Sequence, residues 1–435
     1  MKNLRILAIG FGIVVTTAPI LAQMSFTTEP RRNDNTIRRH QSAKVDQTEH
    51  GTTENVVDDE AWTPLLAVET GLHEWTMPIR FSIQVRQGYD SNPWSKSKNS
   101  DFHGSLFTSA FLDALYRFGS PRLQFSANAG GGGTFYYDRP GRQMDWNAYM
   151  RLVADYEVNH RLSFTLNNNF RYFPSGDFYT VGGDVRSGYE LINENITAAM
   201  RFAINQRLVS TTSANFTVFH YFDTNANNRS GRYDVSVSES LGFLVNPQLT
   251  LSGIYRFNMV EYQSGDFSST GHYAMLGGDY VFSENLRMRL EGGLEMRRYV
   301  NEIFGDGDYF GPFGEMLLNY QLTARANVEW GFRYGTESGD AKYVKRMNVF
   351  RTHIRYHQAF NTRFSGNVNF GYQNRDYYDP NYTENVIHGG INLRYRFHRQ
   401  VALEAGYTLT GLMNSQSSDR DYWRHICYLG AFVDL

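Results

Sequence analysis

The chain has 435 residues, enough for roughly two or three average soluble domains or one large β-barrel. A formal net charge of −2 leaves no global electrostatic case for a nucleic-acid partner. Aromatic content is 15% while mean hydropathy is −0.48, which excludes a bundle of membrane helices, each of which needs about 20 mostly apolar residues.

The N-terminus reads as an export signal. Lys2 and Arg5 form a positive n-region, Ile6 to Val15 is an apolar core, and cleavage after Ala22 yields a signal peptide over 1–22. An uncleaved anchor is the alternative, against which Pro19 and the small Ala22 argue. No cysteine follows the apolar run, so a lipid-anchored form is not expected. Residues 23–77 form a polar leader. Its first part, with Arg31, Arg32, Arg38 and Arg39 followed by Glu54, Asp58, Asp59 and Glu60, lacks the apolar surface to offset its ordering entropy and is expected to be disordered. In 61–77, Trp62, Leu65, Leu66, Val68, Leu72 and Trp75 leave two readings open: a loose linker, or an amphipathic turn that docks in a barrel mouth or plugs it.

From Ile79 to Leu435 apolar and polar residues alternate with period two, the signature of strands with two unlike faces. Leu162, Phe164, Leu166, Phe170 and Tyr172 alternate with Ser163, Thr165, Asn167, Asn169 and Arg171. Phe364, Val368, Phe370 and Tyr372 alternate with Ser365, Asn367, Asn369 and Gln373 in the same way. Short turns are expected near 119–121, 159–160, 205–207, 246–248, 283–285, 322–323, 361–362 and 398–400. Between them come polar loops at 91–101, 138–143, 174–184, 224–231, 264–270, 301–309, 336–346, 377–384 and 414–421, none longer than a dozen residues. Eight turns and nine loops join eighteen strands; the weak strand patterns at 185–205 and 308–321 leave sixteen compatible. The predicted fold is all-β, a transmembrane antiparallel up-and-down barrel over 78–435.

Tyrosines mark both strand ends. Tyr116, Tyr156, Tyr280, Tyr320, Tyr356 and Tyr395 precede short turns, and Tyr89, Tyr136, Tyr172, Tyr221, Tyr262, Tyr299 and Tyr334 precede loops. Two such rows are expected of aromatic girdles at the lipid boundary. Strands of about a dozen residues are too long for a soluble sandwich, whose strands run to about 5–6. An apolar sheet face in lipid cannot leave unpaired edges, so the sheet must close. The ending Gly430-Ala-Phe-Val433-Asp-Leu435 resembles the C-terminal assembly signal of outer-membrane barrels, although Leu435 stands where the usual residue is aromatic.

The segment Gly88-Tyr89-Asp90-Ser91-Asn92 resembles the opening strand of the β-barrel porin 2 family. The resemblance extends to an export signal, a polar leader and Tyr-rich hairpins over the rest of the chain. It implies a barrel of porin type with no catalytic motif and no assigned solute.

No phosphate loop, zinc-protease or nucleophile-elbow motif occurs, and no cofactor or metal is expected. Gly130 to Gly133 lie in a strand and read as a place of close backbone approach. Cys427 reads as a small filler on the last strand. His272, His388 and His425 are candidates for a Ser–His enzyme site on the barrel exterior, but no serine motif accompanies them. The richer constellation lies on the lumen parity: Arg287, Arg289, Glu291, Glu295 and Arg297; then Arg325, Glu329 and Arg333; then Arg351, His353, Arg355 and His357; then Arg394, Arg396 and Glu404. Rows of arginine in a pore favour anions. The alternative is a salt-bridge lattice that stiffens the wall.

The expected function is a porin-like channel of a bacterial-type outer membrane, passing small hydrophilic solutes, with an anion or saccharide preference. Its expected partners are outer-membrane lipid and the barrel-assembly machinery. The alternatives are a saccharide-export or surface-assembly barrel, a structural or adhesive protein, and last an enzyme. Oligomeric state is not legible.

Overall fold

The computed structural model describes residues 79–93, 103–174, 190–222, 231–263, 267–301, 306–337, 346–378, 381–415 and 421–435. The expected signal peptide and the leader lie outside these residues. The first strands are β1 (Ile79–Asp90), β2 (Ser105–Gly119), β3 (Leu123–Tyr136), β4 (Met144–Asn159), β5 (Leu162–Pro174) and β6 (Glu190–Ala203). Next come β7 (Leu208–Tyr221), β8 (Arg232–Asn246), β9 (Leu249–Tyr262), β10 (Phe267–Ser283), β11 (Leu286–Asn301) and β12 (Gly307–Thr323). The last are β13 (Ala326–Glu337), β14 (Arg346–Ala359), β15 (Phe364–Tyr378), β16 (Tyr382–Arg396), β17 (Val401–Asn414) and β18 (Tyr422–Asp434).

Each strand pairs antiparallel with its sequence neighbours, and β1 pairs with β18, so the ladder closes into a barrel. The count is eighteen, not sixteen. Closure matters because one face is oily. In β1, Ile79, Phe81, Ile83 and Val85 point outward and are exposed, while Ser82, Gln84 and Arg86 point inward and are buried. The same parity runs round the ladder: the apolar residues named above on β5 and β15 are outward, their polar alternates inward. With strands of 12 to 17 residues, the outer belt is tall enough to cross the hydrocarbon layer, which takes about 9–11 tilted residues. The fold is a transmembrane up-and-down barrel. Among the described residues no helix is long and apolar enough to cross a membrane; the strands are the crossing elements.

The seam explains the Gly88–Asn92 motif. Asp90 accepts from the Arg424 guanidinium on β18 at 2.7–3.1 Å and caps the Asn92 amide at 3.0 Å. Ser91 exchanges hydrogen bonds with the His425 backbone. A side chain at Gly88 would collide with Phe107, Tyr428 and the Cys427 carbonyl, so only glycine lets β2 and β18 close over β1 there. Further along, Arg80 pairs with Asp434, and Arg86 reaches across β18 to Glu404 at 3.3 Å.

Three loop expectations are too long. Within 264–270, 301–309 and 377–384 the chain does pass between strands, but β10, β12 and β16 begin at Phe267, Gly307 and Tyr382, leaving connections of three to five residues. Ser268 and Thr270 have turn-like composition, yet they pair in register with Glu261 and Met259, because ladder bonds outweigh local preference. Conversely, the connections 91–104 and 175–189 exceed a dozen residues, so the absence of a long loop does not hold. The tyrosine rows split as well. All six turn-side tyrosines share the outer parity, and Tyr89, Tyr172 and Tyr334 do too. Tyr136, Tyr221, Tyr262 and Tyr299 instead point inward and are buried. Nearness to a strand end does not set the face; a shift of one residue reverses it.

Candidate functional site

The inner wall has two chemical halves. From β5 to β8 it is mostly neutral. Asn195 donates to Thr217 at 2.7 Å, Thr217 to Asn215 at 3.1 Å, Asn215 to Thr197 at 2.7 Å and Thr197 back to Asn195 at 3.3 Å. This closed ring satisfies two amides and two hydroxyls across β6 and β7, all of them buried. Ser213 and Ser238 continue the wall at 2.7 Å.

From β10 round to β1 the wall is ionic, and most of the expected site residues stand on it. Arg287 grips Asp279 with both nitrogens, at 2.9 and 2.5 Å, and Arg289 adds a third bond to the same carboxylate at 3.4 Å. Glu291 faces Arg256 at 4.0 Å. Arg297 donates to Glu295 at 2.7 Å and to the Tyr273 hydroxyl at 2.6 Å, and that hydroxyl donates to Glu295 at 3.0 Å. Glu329 receives Arg355 at 3.0 Å and lies 3.3 Å from the His353 ring. Arg351 and Arg333 share Glu337 at 2.5 and 4.0 Å. His357 bonds Asn367. Arg394 lies 4.2 Å over the Phe432 ring, and Arg396 ends the same inner row of β16. Glu404 gathers Gln84, Arg86 and Asn392.

Arg325 is the exception among the expected residues. It sits in the turn between β12 and β13, exposed, off the inner wall. Extending the row's parity by two residues beyond Asn327 ran past the strand's end. Sequence reasoning also missed the carboxylates Asp279, Glu337 and Glu315, whose signal was present: each occupies the inward parity of its own strand, Asp279 and Glu315 directly across from Arg289 and Arg333, and Glu337 four residues along from Arg333. Arginines thus rarely stand alone on this wall.

Two features went unread. Lysine is absent from the strands; past Ile79 it occurs only at 96, 98, 342 and 345, so every inner-wall cation other than histidine is an arginine. And towards the loop end the inner face turns aromatic, with guanidinium groups stacked on it: Arg232 lies 4.3 Å over Phe219 and Arg139 4.2 Å over Tyr136. The histidines considered for an exterior enzyme site are separated. The rings of His272 and His425 lie outside, each 2.8 Å from a tyrosine hydroxyl, Tyr255 and Tyr407, whereas His388 is buried inside, 3.2 Å from Thr410. Cys427 is exposed on the outer parity of β18. Among the described residues no His, Cys, Asp and Glu group could hold a metal ion.

No family model matches the chain, and no curated protein does; the resemblance of its opening strand therefore rests on the motif alone. Solved structures do align. OccAB4 of Acinetobacter baumannii is 11% identical over 82% of this chain and 99% of its own, with a TM-score of 0.42. OpdK of Pseudomonas aeruginosa, solved with vanillate, is 11% identical with the same coverage and a TM-score of 0.43. The A. baumannii siderophore receptor PirA is 7% identical over 83% of this chain and 81% of its own, with a TM-score of 0.44. At such scores the barrel assignment stands on this chain's own strand register.

Proposed function

We propose that the protein is an outer-membrane channel through which small hydrophilic solutes diffuse, exported by residues 1–22 and inserted by the barrel-assembly machinery. One observation carries this reading: a closed eighteen-strand ladder with an oily exterior and a hydrogen-bonding, ionic interior. A barrel of this strand number can hold an aqueous channel. The test is conductance of the refolded full chain in planar bilayers. Stepwise ohmic currents are expected; an insulating bilayer, with the protein folded by its heat-modifiable gel migration, would reject the channel.

The solute preference we assign is modestly anionic. The inner wall presents planar, permanently charged guanidinium forks suited to carboxylate and phosphate oxygens, and intramural carboxylates hold their net field low. Reversal potentials in a salt gradient should show anion preference that weakens when Arg289 and Arg355 both become Gln. Cation preference, unmoved by that change, would sink it. Acidic saccharides suit a wall that is ionic on one side and, from β5 to β8, mostly neutral and polar on the other. The alternative of a saccharide-export barrel is favoured by the long polar leader. Deletion of 24–60 that leaves conductance intact but abolishes capture of envelope partners would establish it.

A further inference from the structure

The eight short turns repeat one design, which none of the channel chemistry uses. Each opens with a cap: Ser120, Asn159, Asn205, Asn246, Ser283, Thr323, Asn361 or His398. Asn159 Oδ1 accepts from the Arg161 amide at 2.8 Å and the Leu162 amide at 3.0 Å. Asn205, Asn246 and Asn361 do the same for their own second and third followers at 2.8–2.9 Å. Thr323 holds the Arg325 amide at 3.1 Å and Ser120 the Leu123 amide at 3.0 Å. The second follower is then tied on its other side. In all eight turns its carbonyl accepts an amide from the end of the next hairpin, as Arg122 does from Glu157 at 2.7 Å and Arg325 from Ala359 at 2.7 Å.

That position, pinned at both amide and carbonyl in seven turns and at the carbonyl alone in the Ser120 turn, is always a donor side chain and never a carboxylate. It is Arg122, Arg161, Arg207, Arg325 and Arg363 in five turns, and Gln248, Asn285 and Gln400 in the others. All five arginines are exposed, and none has an ion-pair partner among the described residues. The inner-wall arginines, by contrast, mostly do. The five fall in two arcs, the turns from β2 to β7 and those from β12 to β15, with Arg399 extending the second arc at the middle position of its turn.

Their surroundings name the occupant. Just strandward, on the outer face, stand exposed Phe202, Val245, Phe282, Leu322, Phe360 and Phe397, an apolar row bordering the turns. An arginine one step beyond that row lies at the depth of phosphate in a bilayer. On the opposite rim the outward charges are mixed: Glu190, Glu261, Asp308 and Asp376 stand near the loop ends of β6, β9, β12 and β15, and exposed Arg298 on β11 pairs directly across from Asp308. Neighbouring turns are two strands apart, about 10 Å at ordinary strand spacing, so one free phosphate ion cannot bridge two arginines. A lone exposed guanidinium holds a free anion weakly in salt. A membrane supplies phosphates already concentrated and fixed in a plane, one per arginine.

We propose that the short-turn rim is a binding ring for the head groups of anionic phospholipid in the leaflet it meets, with the five turn arginines as phosphate clamps. This rests on the membrane-barrel fold and not on conduction. The test counts lipids retained by the refolded full chain in native mass spectrometry from micelles of equal phosphatidylglycerol and phosphatidylcholine. The wild type should retain phosphatidylglycerol several-fold over phosphatidylcholine. The ratio should fall to about one when Arg122, Arg161, Arg207, Arg325 and Arg363 all become Gln, and stay near wild type when all become Lys. If the fivefold variant does not refold, Arg161→Gln and Arg325→Gln, one per arc, should each lower the ratio partway. Equal retention by the wild type, or a preference surviving the fivefold change, overturns the proposal. So does loss of the bound lipid to inorganic phosphate, which would make the rim a site for free anions, or capture of polyglutamate that phosphatidylglycerol does not displace, which would make it a protein-docking surface. Conductance should be the same in every folded variant, so failure of the channel reading leaves this result standing.

Discussion

Glu239 is the residue that most disobeys its surroundings. It is the central residue of β8, seven from each end, and it lies on the outer parity between Val237 and Leu241, both exposed. A carboxylate at this depth faces acyl chains, and among the described residues Ser210 and Thr212 on β7 supply it with hydrogen bonds, at 2.6 and 2.5 Å. Outward carboxylates near the bilayer centre cost less than the roughly 2–4 kcal/mol of outward Arg or Lys there, but they still cost. Glu239→Gln keeps an acceptor for the hydroxyls and removes the charge, so it should stabilise the barrel in phosphatidylcholine vesicles by about 1 kcal/mol, read as a higher urea midpoint. A lower midpoint would mean that the charge itself is used by a partner. The oddity was not legible beforehand, because a single Glu among Ser and Leu has the same look on either parity. Asp90 was legible as part of a motif, whereas its work, holding Arg424 across the seam, needed the two ends of the chain brought together.

At the scale of elements, the β1–β18 contact is where closure is tested, for it joins strands more than 330 residues apart. Arg424 and Asp90 are nearly fully buried there, so removing one partner leaves an uncompensated charge. Arg424→Gln should cost about 3–5 kcal/mol, visible as loss of heat-modifiable migration at a lower temperature. Arg424→Gln paired with Asp90→Asn should recover much of that loss; if the double change is as damaging as the single, the pair is not what holds the seam. Strand identity was readable from period-two alternation because it depends on side-chain chemistry within one segment. Strand length was not. Polar residues such as Ser268 and Asn385 belong to ladders because the neighbouring strand continues beside them, and that neighbour is invisible in a local window.

For the molecule as a whole, the charge of the channel depends on what kind of cation lines it. With guanidinium groups and no strand lysine, the wall cannot lose its positive charge at alkaline pH. Any anion preference measured at neutral pH should therefore persist to about pH 10, where a lysine-lined wall would be discharging. A preference that collapses before that point in reversal-potential measurements would show that the selectivity comes from groups other than the arginine wall.

Alternation, turn punctuation and an even strand count sufficed to specify a barrel, because a sheet with one oily side has no other way to pair its edges inside a membrane. The same regularities placed nearly all of the charged row on the inner face, since parity carries along a strand from any one well-assigned residue. Whether a given arginine is spent on a carboxylate or left free is a different matter. Asp279 and Arg287 are eight residues apart across a hairpin, but Asp90 and Arg424 meet only at closure, and Arg122 has no ion-pair partner among the described residues because its turn ends beyond the ladder. Pairing is a property of distance in space, which only the closed structure supplies.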